Sequence, residues 1–295
     1  MKSNRLLKRL LSFVGVLVMS MIVAGQSAKA AAPVVTGSAG DLILGFRDTS
    51  GTNANDLEVD LGQASQFATW ASSSPGVTFN LNLGGAVYGS NRGLSAADLR
   101  YVFGSGTSNS SWNTLSTLVW SVAGKTGATS TTTLFATFPT GTVVNRASGT
   151  TQNTPGGRLS TLLSSLEGQP SLSGTNSGGS PEAAEIAADP TSNTNYTGAI
   201  RGNATANKDY GYFTPSTETN VVSTGFASLD LYEFAPSSTS GVPGTDLGTF
   251  NLGSDGTFTF TAEAVPEPST YAALVLGAGV LLFAGRHPSR NSAKR

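Results

Sequence analysis

The chain has no cysteine, a single histidine (His287), and only 12% charged residues. Without cysteine there can be no disulfide framework, no zinc–thiolate site and no cysteine nucleophile. The one histidine lies close to the C-terminus. If that end is removed, what remains lacks a Ser-His-Asp triad, a His-ligated metal and imidazole acid–base chemistry. No GxSxG elbow is present, and neither Lys125 nor Lys208 lies three residues after a serine, as a Ser-Lys dyad would need.

Charge is scarce and unevenly placed. Lys2, Arg5, Lys8, Arg9 and Lys29 occupy the first 30 residues with no acid among them, and Arg286, Arg290, Lys294 and Arg295 crowd the last ten. Between these ends, residues 31–265 carry 17 acids against 8 bases. Such a body repels phosphate backbones, so nucleic acid is not an expected partner.

Both ends read as addresses. At the N-terminus a basic stretch precedes the apolar run Leu10–Ala24. Ala28-Lys29-Ala30 then supplies the small-x-small pattern cut by signal peptidase. Cleavage is expected after Ala30, with Ala31 or Ala32 as neighbouring alternatives. The other reading is an uncleaved anchor, although the apolar run is short for a span of about 20 residues. At the C-terminus, Val265-Pro266-Glu267-Pro268 leads into the apolar stretch Tyr271–Gly285 and then the basic end. As a helix that stretch is about 22 Å long. It can cross a core of about 30 Å if the flanking arginines snorkel and the bilayer thins. The basic tail is expected in the cytoplasm and the body outside.

This order of triplet, apolar helix and basic tail resembles the PEP-CTERM sorting signal over residues 265–295. The resemblance implies export, recognition by an exosortase-type membrane protease with cleavage near the triplet, and association with extracellular polysaccharide at the cell surface or in the matrix. A plain C-terminal anchor with an accidental Pro-Glu-Pro is the alternative. The segments GDLILGFR, DLEVDLG, LSAADLRYVFG followed by SSWNT, and SLDLYEF through GTFTFTA also resemble, more loosely, a group of PEP-CTERM proteins. They carry no activity and no catalytic residue with them. The expected organisation is a signal peptide at 1–30, an exported body at 31–264 and a sorting signal at 265–295 with a transmembrane helix at 271–285.

The body holds 31 Ser and 35 Thr among residues 31–265. Strands are expected at Asp41–Arg47, Asp56–Leu61, Val77–Leu83, Leu115–Ala123, Thr132–Phe138 and Ala227–Phe234. A hairpin is expected at Leu247–Leu252 and Thr257–Ala262. Helices are expected at Leu94–Phe103, with Ser95 and Asp98 as a capping box; at Arg158–Glu167, on its leucine spacing; and from Pro181 through Ala188, capped by Ser180. Gln169–Ser180 and Asp189–Asn207 read as loops. The fold class that follows is mainly β: an antiparallel β-sandwich-like body with two or three short helices.

Candidate sites are few. Asp56, Glu58 and Asp60 share one face of a strand. They are weak calcium ligands, because alternate strand residues stand about 6.6 Å apart. A solvated face opposite Leu57, Val59 and Leu61 is the simpler expectation. Trp70 and Trp112, beside Ser- and Asn-rich segments, are candidates for stacking on sugar rings, whereas Trp120 sits in an apolar strand and reads as core. Gly124-Lys125-Thr126 resembles the end of a phosphate-binding loop but lacks the preceding glycine and the following helix, so a hairpin turn is expected there. Dispersed acids such as Asp230 and Glu233 mark no glycosidase pair. No catalytic residue and no cofactor is assigned. A structural or adhesive role beside extracellular polysaccharide is expected, with a carbohydrate-binding module or a carboxylate-dependent glycan hydrolase as alternatives.

Overall fold

The structure is a computed structural model. It describes residues 32–263 apart from 52, 85–91, 105–111, 128–131, 143, 146–148, 202–207, 214–215, 222–225 and 237–240. The expected cleavage residues Ala28 and Ala30, the expected sorting motif Val265, Pro266, Glu267 and Pro268, and the apolar stretch 271–285 lie outside the described residues.

Among the described residues ten strands form: β1 (Asp41–Asp48), β2 (Asn55–Gln63), β3 (Thr78–Asn80), β4 (Leu118–Thr126), β5 (Thr133–Pro139), β6 (Ala183–Ala187), β7 (Thr219–Asn220), β8 (Phe226–Phe234), β9 (Thr245–Gly253) and β10 (Phe258–Ala262). All pairings between them are antiparallel. They do not make a two-layer sandwich. They join into one sheet in the order β3-β10-β9-β8-β5-β4-β1-β2-β6, with β7 paired to β4. The sheet curls into a half-barrel. Accumulated strand twist is what bends a sheet this wide.

Four helices cover it: α1 (Ala64–Ser73), α2 (Ala96–Phe103), α3 (Gly149–Leu166) and α4 (Tyr196–Arg201). The α2 start carries the expected capping box of Ser95 and Asp98. The leucine periodicity places α3, which begins earlier than the pattern predicts and contains Pro155. The segment after Ser180 is not helical. Ala183–Ala187 pairs with β2 as an outer strand, from Val59↔Ala183 to Asn55↔Ala187. The cap-and-proline signal there was outweighed by an open sheet edge. The 189–207 segment contains α4, capped by Asn195, whose Oδ1 accepts the Gly198 N–H at 2.9 Å. Asn195 is itself buried.

Each sheet face has its own core. On the first, Leu42, Leu44, Phe46, Leu57, Val59 and Leu61 meet α1, α2 and the rings of β9 and β10. Phe67 of α1 touches Trp70, Phe250 and Phe260 at 5.1, 5.5 and 5.1 Å between centroids. On the second, Ile43, Ala123, Leu134, Ala136 and Phe138 meet Leu159, Leu162, Leu163 and Leu166 of α3, together with Tyr196, Tyr210 and Phe213.

Candidate functional site

Strand alternation puts Asp56, Glu58 and Asp60 on the second face, as expected. The expectation of a solvated face fails: all three are 0% exposed. Asp56 and Glu58 lie under α4, a short helix that packs on β1 and β2. Asp56 accepts the Thr197 N–H and the Thr197 hydroxyl, each at 2.7 Å. Glu58 Oε1 accepts the Tyr196 N–H at 2.7 Å, and its Oε2 has no partner among the described residues. The first backbone donors of α4, which a helix cannot satisfy internally, are thus met by side chains from the sheet. Asp60 Oδ1 accepts the Gly62 N–H at 2.6 Å, and Arg92 Nη1 stands 3.7 Å away.

Three carboxyls spread along a strand and turned to separate donors do not converge on one ion. Among the described residues no group of three or more His, Cys, Asp or Glu is placed to hold a metal. The calcium reading of Asp56, Glu58 and Asp60 therefore finds no geometric support.

Burial instead raises the proton affinity of all three. It pushes Asp56 up to about 6 against the opposing Thr197 bonds. Glu58 is raised well above the usual range by burial and then by the neighbouring Asp56. Asp60 is pushed up to about 8 by burial and by its contact with Asp41. Removing a carboxylate from water disfavours its charged form.

Farther along the same face, Arg47 of β1 donates from Nε to Glu218 Oε1 at 2.8 Å and from Nη2 to Oε2. Burial works against the guanidinium charge, but the Glu218 carboxylate outweighs it and keeps Arg47 protonated. The Tyr196 hydroxyl lies 2.6 Å from Ser121 Oγ, with the Tyr210 hydroxyl 3.5 Å from the same atom. Gly45 makes room for Tyr196, since a Cβ there would overlap the ring. A glycine inside a strand marks such a close approach. Gly45 and Arg47 in GDLILGFR were the sequence's pointers to this region, and the site reading passed over both.

Two hollows open at the rim of this face. One, about 360 Å³, lies at the end of β1 and is lined by residues including Arg47, Asp48, Asn53, Thr197 and Arg201. The other, about 120 Å³, lies between α3 and the ends of β1 and β4, against Asp41, Lys125, Ser160 and Glu167.

The tryptophan candidates are corrected by the structure. Trp70 is 8% exposed and stacks on Phe79 at 4.1 Å and 11°. Trp112 is 3% exposed in a short 3-10 turn. A ring needs a free face to stack on a sugar, and both rings are enclosed in the first core. Trp120 is core, as expected. Lys125 and Thr126 lie in β4, paired with Leu134 and Thr133 of β5, so the Gly-Lys-Thr segment belongs to a strand pair. Asp230 accepts from Thr140 Oγ1, the Gly141 N–H and Thr249 Oγ1. Among the described residues no helix is long and apolar enough to cross a membrane.

Comparison of the chain with family models, with curated proteins and with solved structures returned no match.

Proposed function

We propose that this chain is an exported protein of the cell surface or extracellular matrix, sorted through its C-terminal tail. Its body acts there as a structural or adhesive element beside extracellular polysaccharide. The observation that carries this reading is the order of Pro266-Glu267-Pro268, the apolar stretch Tyr271–Gly285 and the basic end, set behind an N-terminal signal. Signal peptidase acts after Ala30. An exosortase-type protease acts near the triplet, and the 271–285 helix holds the body at the inner membrane until then.

The body supports the reading in one respect. Three of its raised carboxyls, Asp56, Glu58 and Asp98, accept from α4 and from the loop before β6, which is work of construction. We assign it no catalytic role.

Mass spectrometry of the protein from its native cells tests the proposal. A chain running from near Ala31 to near Pro266, with added sugar mass, is the expected result. A C-terminus intact at Arg295 would make the protein a standing inner-membrane anchor and remove the matrix role.

A further inference from the structure

We propose that the hollow at the end of β1 binds an acidic saccharide residue, with Arg201 and Arg47 holding its carboxylate. The chemistry of the hollow carries the ligand class. That the ligand comes from a matrix polysaccharide rests on the function proposed above.

The hollow is about 360 Å³, within the range of about 300–1,000 Å³ typical of small-ligand sites. Two of the body's few cations, Arg47 and Arg201, line it. Arg47 is 7% exposed and fixed by Glu218 through Nε and Nη2, and its Nη1 makes no hydrogen bond among the described residues. A guanidinium held on one edge and free on the other is a preorganised donor. Arg201, at the end of α4, is exposed and has no hydrogen bond or ion pair among the described residues. A planar carboxylate can bridge the two, as arginine forks favour.

The remaining wall suits hydroxyl groups. Asp48 accepts the Ser50 N–H and hydroxyl at 2.9 and 2.7 Å and the Asn53 N–H at 3.2 Å. With the Thr117 side chain as a fourth donor these bonds fill its acceptor sites, and the lone pairs left for a sugar hydroxyl are those of Thr49 and Thr197, whose hydroxyls donate to the Thr117 carbonyl and to Asp56. The negative charge of Asp48 also selects against a doubly charged anion. A phosphate bound between the arginines would sit beside a carboxylate, whereas a uronate brings one charge and several hydroxyls. A neutral sugar leaves both guanidinium edges unmet.

The test is calorimetric titration of the protein purified from its native cells with oligogalacturonate, with neutral galactose oligomers of equal length and with inorganic phosphate. Saturable binding of the acidic oligomer, at least tenfold stronger than that of the neutral oligomer or phosphate, is expected. Arg201→Gln should weaken it at least tenfold without moving the thermal midpoint, because Arg201 packs against nothing it would leave unpaired. Arg201→Lys should recover only part of the loss. Equal binding of acidic and neutral oligomers, phosphate binding as tight as the acidic oligomer, or an Arg201→Gln variant that binds unchanged would each overturn the assignment. The termini reported by mass spectrometry are independent of this result. Uronate binding by a chain intact at Arg295 would keep the site and remove the matrix reading.

Discussion

The two faces of the sheet are held by different forces. On the first, α1 and the rings of β9 and β10 pack dry. Phe250 and Phe258 stack at 5.5 Å and 2°, with Phe67, Trp70 and Phe260 around them. Dispersion and burial are not directional, and protons do not alter them. The second face mixes leucines with Asp56, Glu58, Asp60, Arg47, Ser121 and two tyrosines. Its bonds are directional and fix one seating of α4, but their strength depends on protonation. A single strand, β2, serves both designs, with Leu57 and Val59 on one side and Asp56 and Glu58 on the other. Shape alone positions α1 on the first face, and charge state adds a second condition on the other.

The largest effects should come from single deletions that attack each design in its own terms. Phe260→Ala should cost about 3–5 kcal/mol through a cavity in the dry core, and leave the pH dependence of unfolding as it is. Arg47→Met should cost about 3–5 kcal/mol by stranding the buried Glu218 charge, with most of it recovered when Glu218→Leu is added. Urea titrations read both. A double variant no more stable than Arg47→Met would break the contrast.

Gly45→Ala should cost about 1–3 kcal/mol by forcing Tyr196 off the strand. Hydrogen exchange should show the loss first at α4 and only weakly at α1. Equal loss at both helices would mean that the faces do not open separately.

The pH response sharpens the comparison further. Asp56, Asp98 and Asp60 have folded-state values raised to about 6, 7 and 8, burial being the leading cause in each. Groups raised by folding contribute fully below their unfolded values and lose that contribution as pH rises through the folded ones. Urea midpoints should therefore fall between about pH 4 and 8, with α4, held by Asp56, and α2, capped by Asp98, losing exchange protection before α1. Asp60→Asn and Asp98→Asn should each flatten the curve. A midpoint that rises over this window would refute the assignment of these protons.

The smallest effect concerns a cap. Ser95→Ala should cost about 1 kcal/mol at the start of α2, visible as a small drop in thermal midpoint and little else.

What could be read from the sequence followed the range of the interactions. Alternation located β2 and the β9–β10 hairpin, and capping located α2, because those signals lie within a few residues. Alternation also told correctly that Asp56, Glu58 and Asp60 share a face. It could not tell that residues 195–201, far along the chain, cover that face. A carboxyl under a helix and one in water look alike in sequence.

Trp70 misled for a related reason. Its serine-rich surroundings suggested exposure, yet Phe67, Trp70 and Ala71 at helical spacing were an apolar stripe. The sandwich expectation failed at the level of strand order. That β5 pairs with β8, rather than turning into a second sheet, is a long-range choice that no local pattern encodes.

That strand order is also a schedule. β5 ends at Pro139, and its outer neighbour β8 begins at Phe226. β3 at the far margin has no partner until Phe258–Ala262 has been delivered. A chain that emerges N-terminus first must therefore carry an unfinished sheet, with β5 as its open side, until the last strands arrive. Pairings this distant in sequence close slowly. The delay leaves one seam, β5 against β8, where an early arrival from another copy could take the place of the chain's own strand.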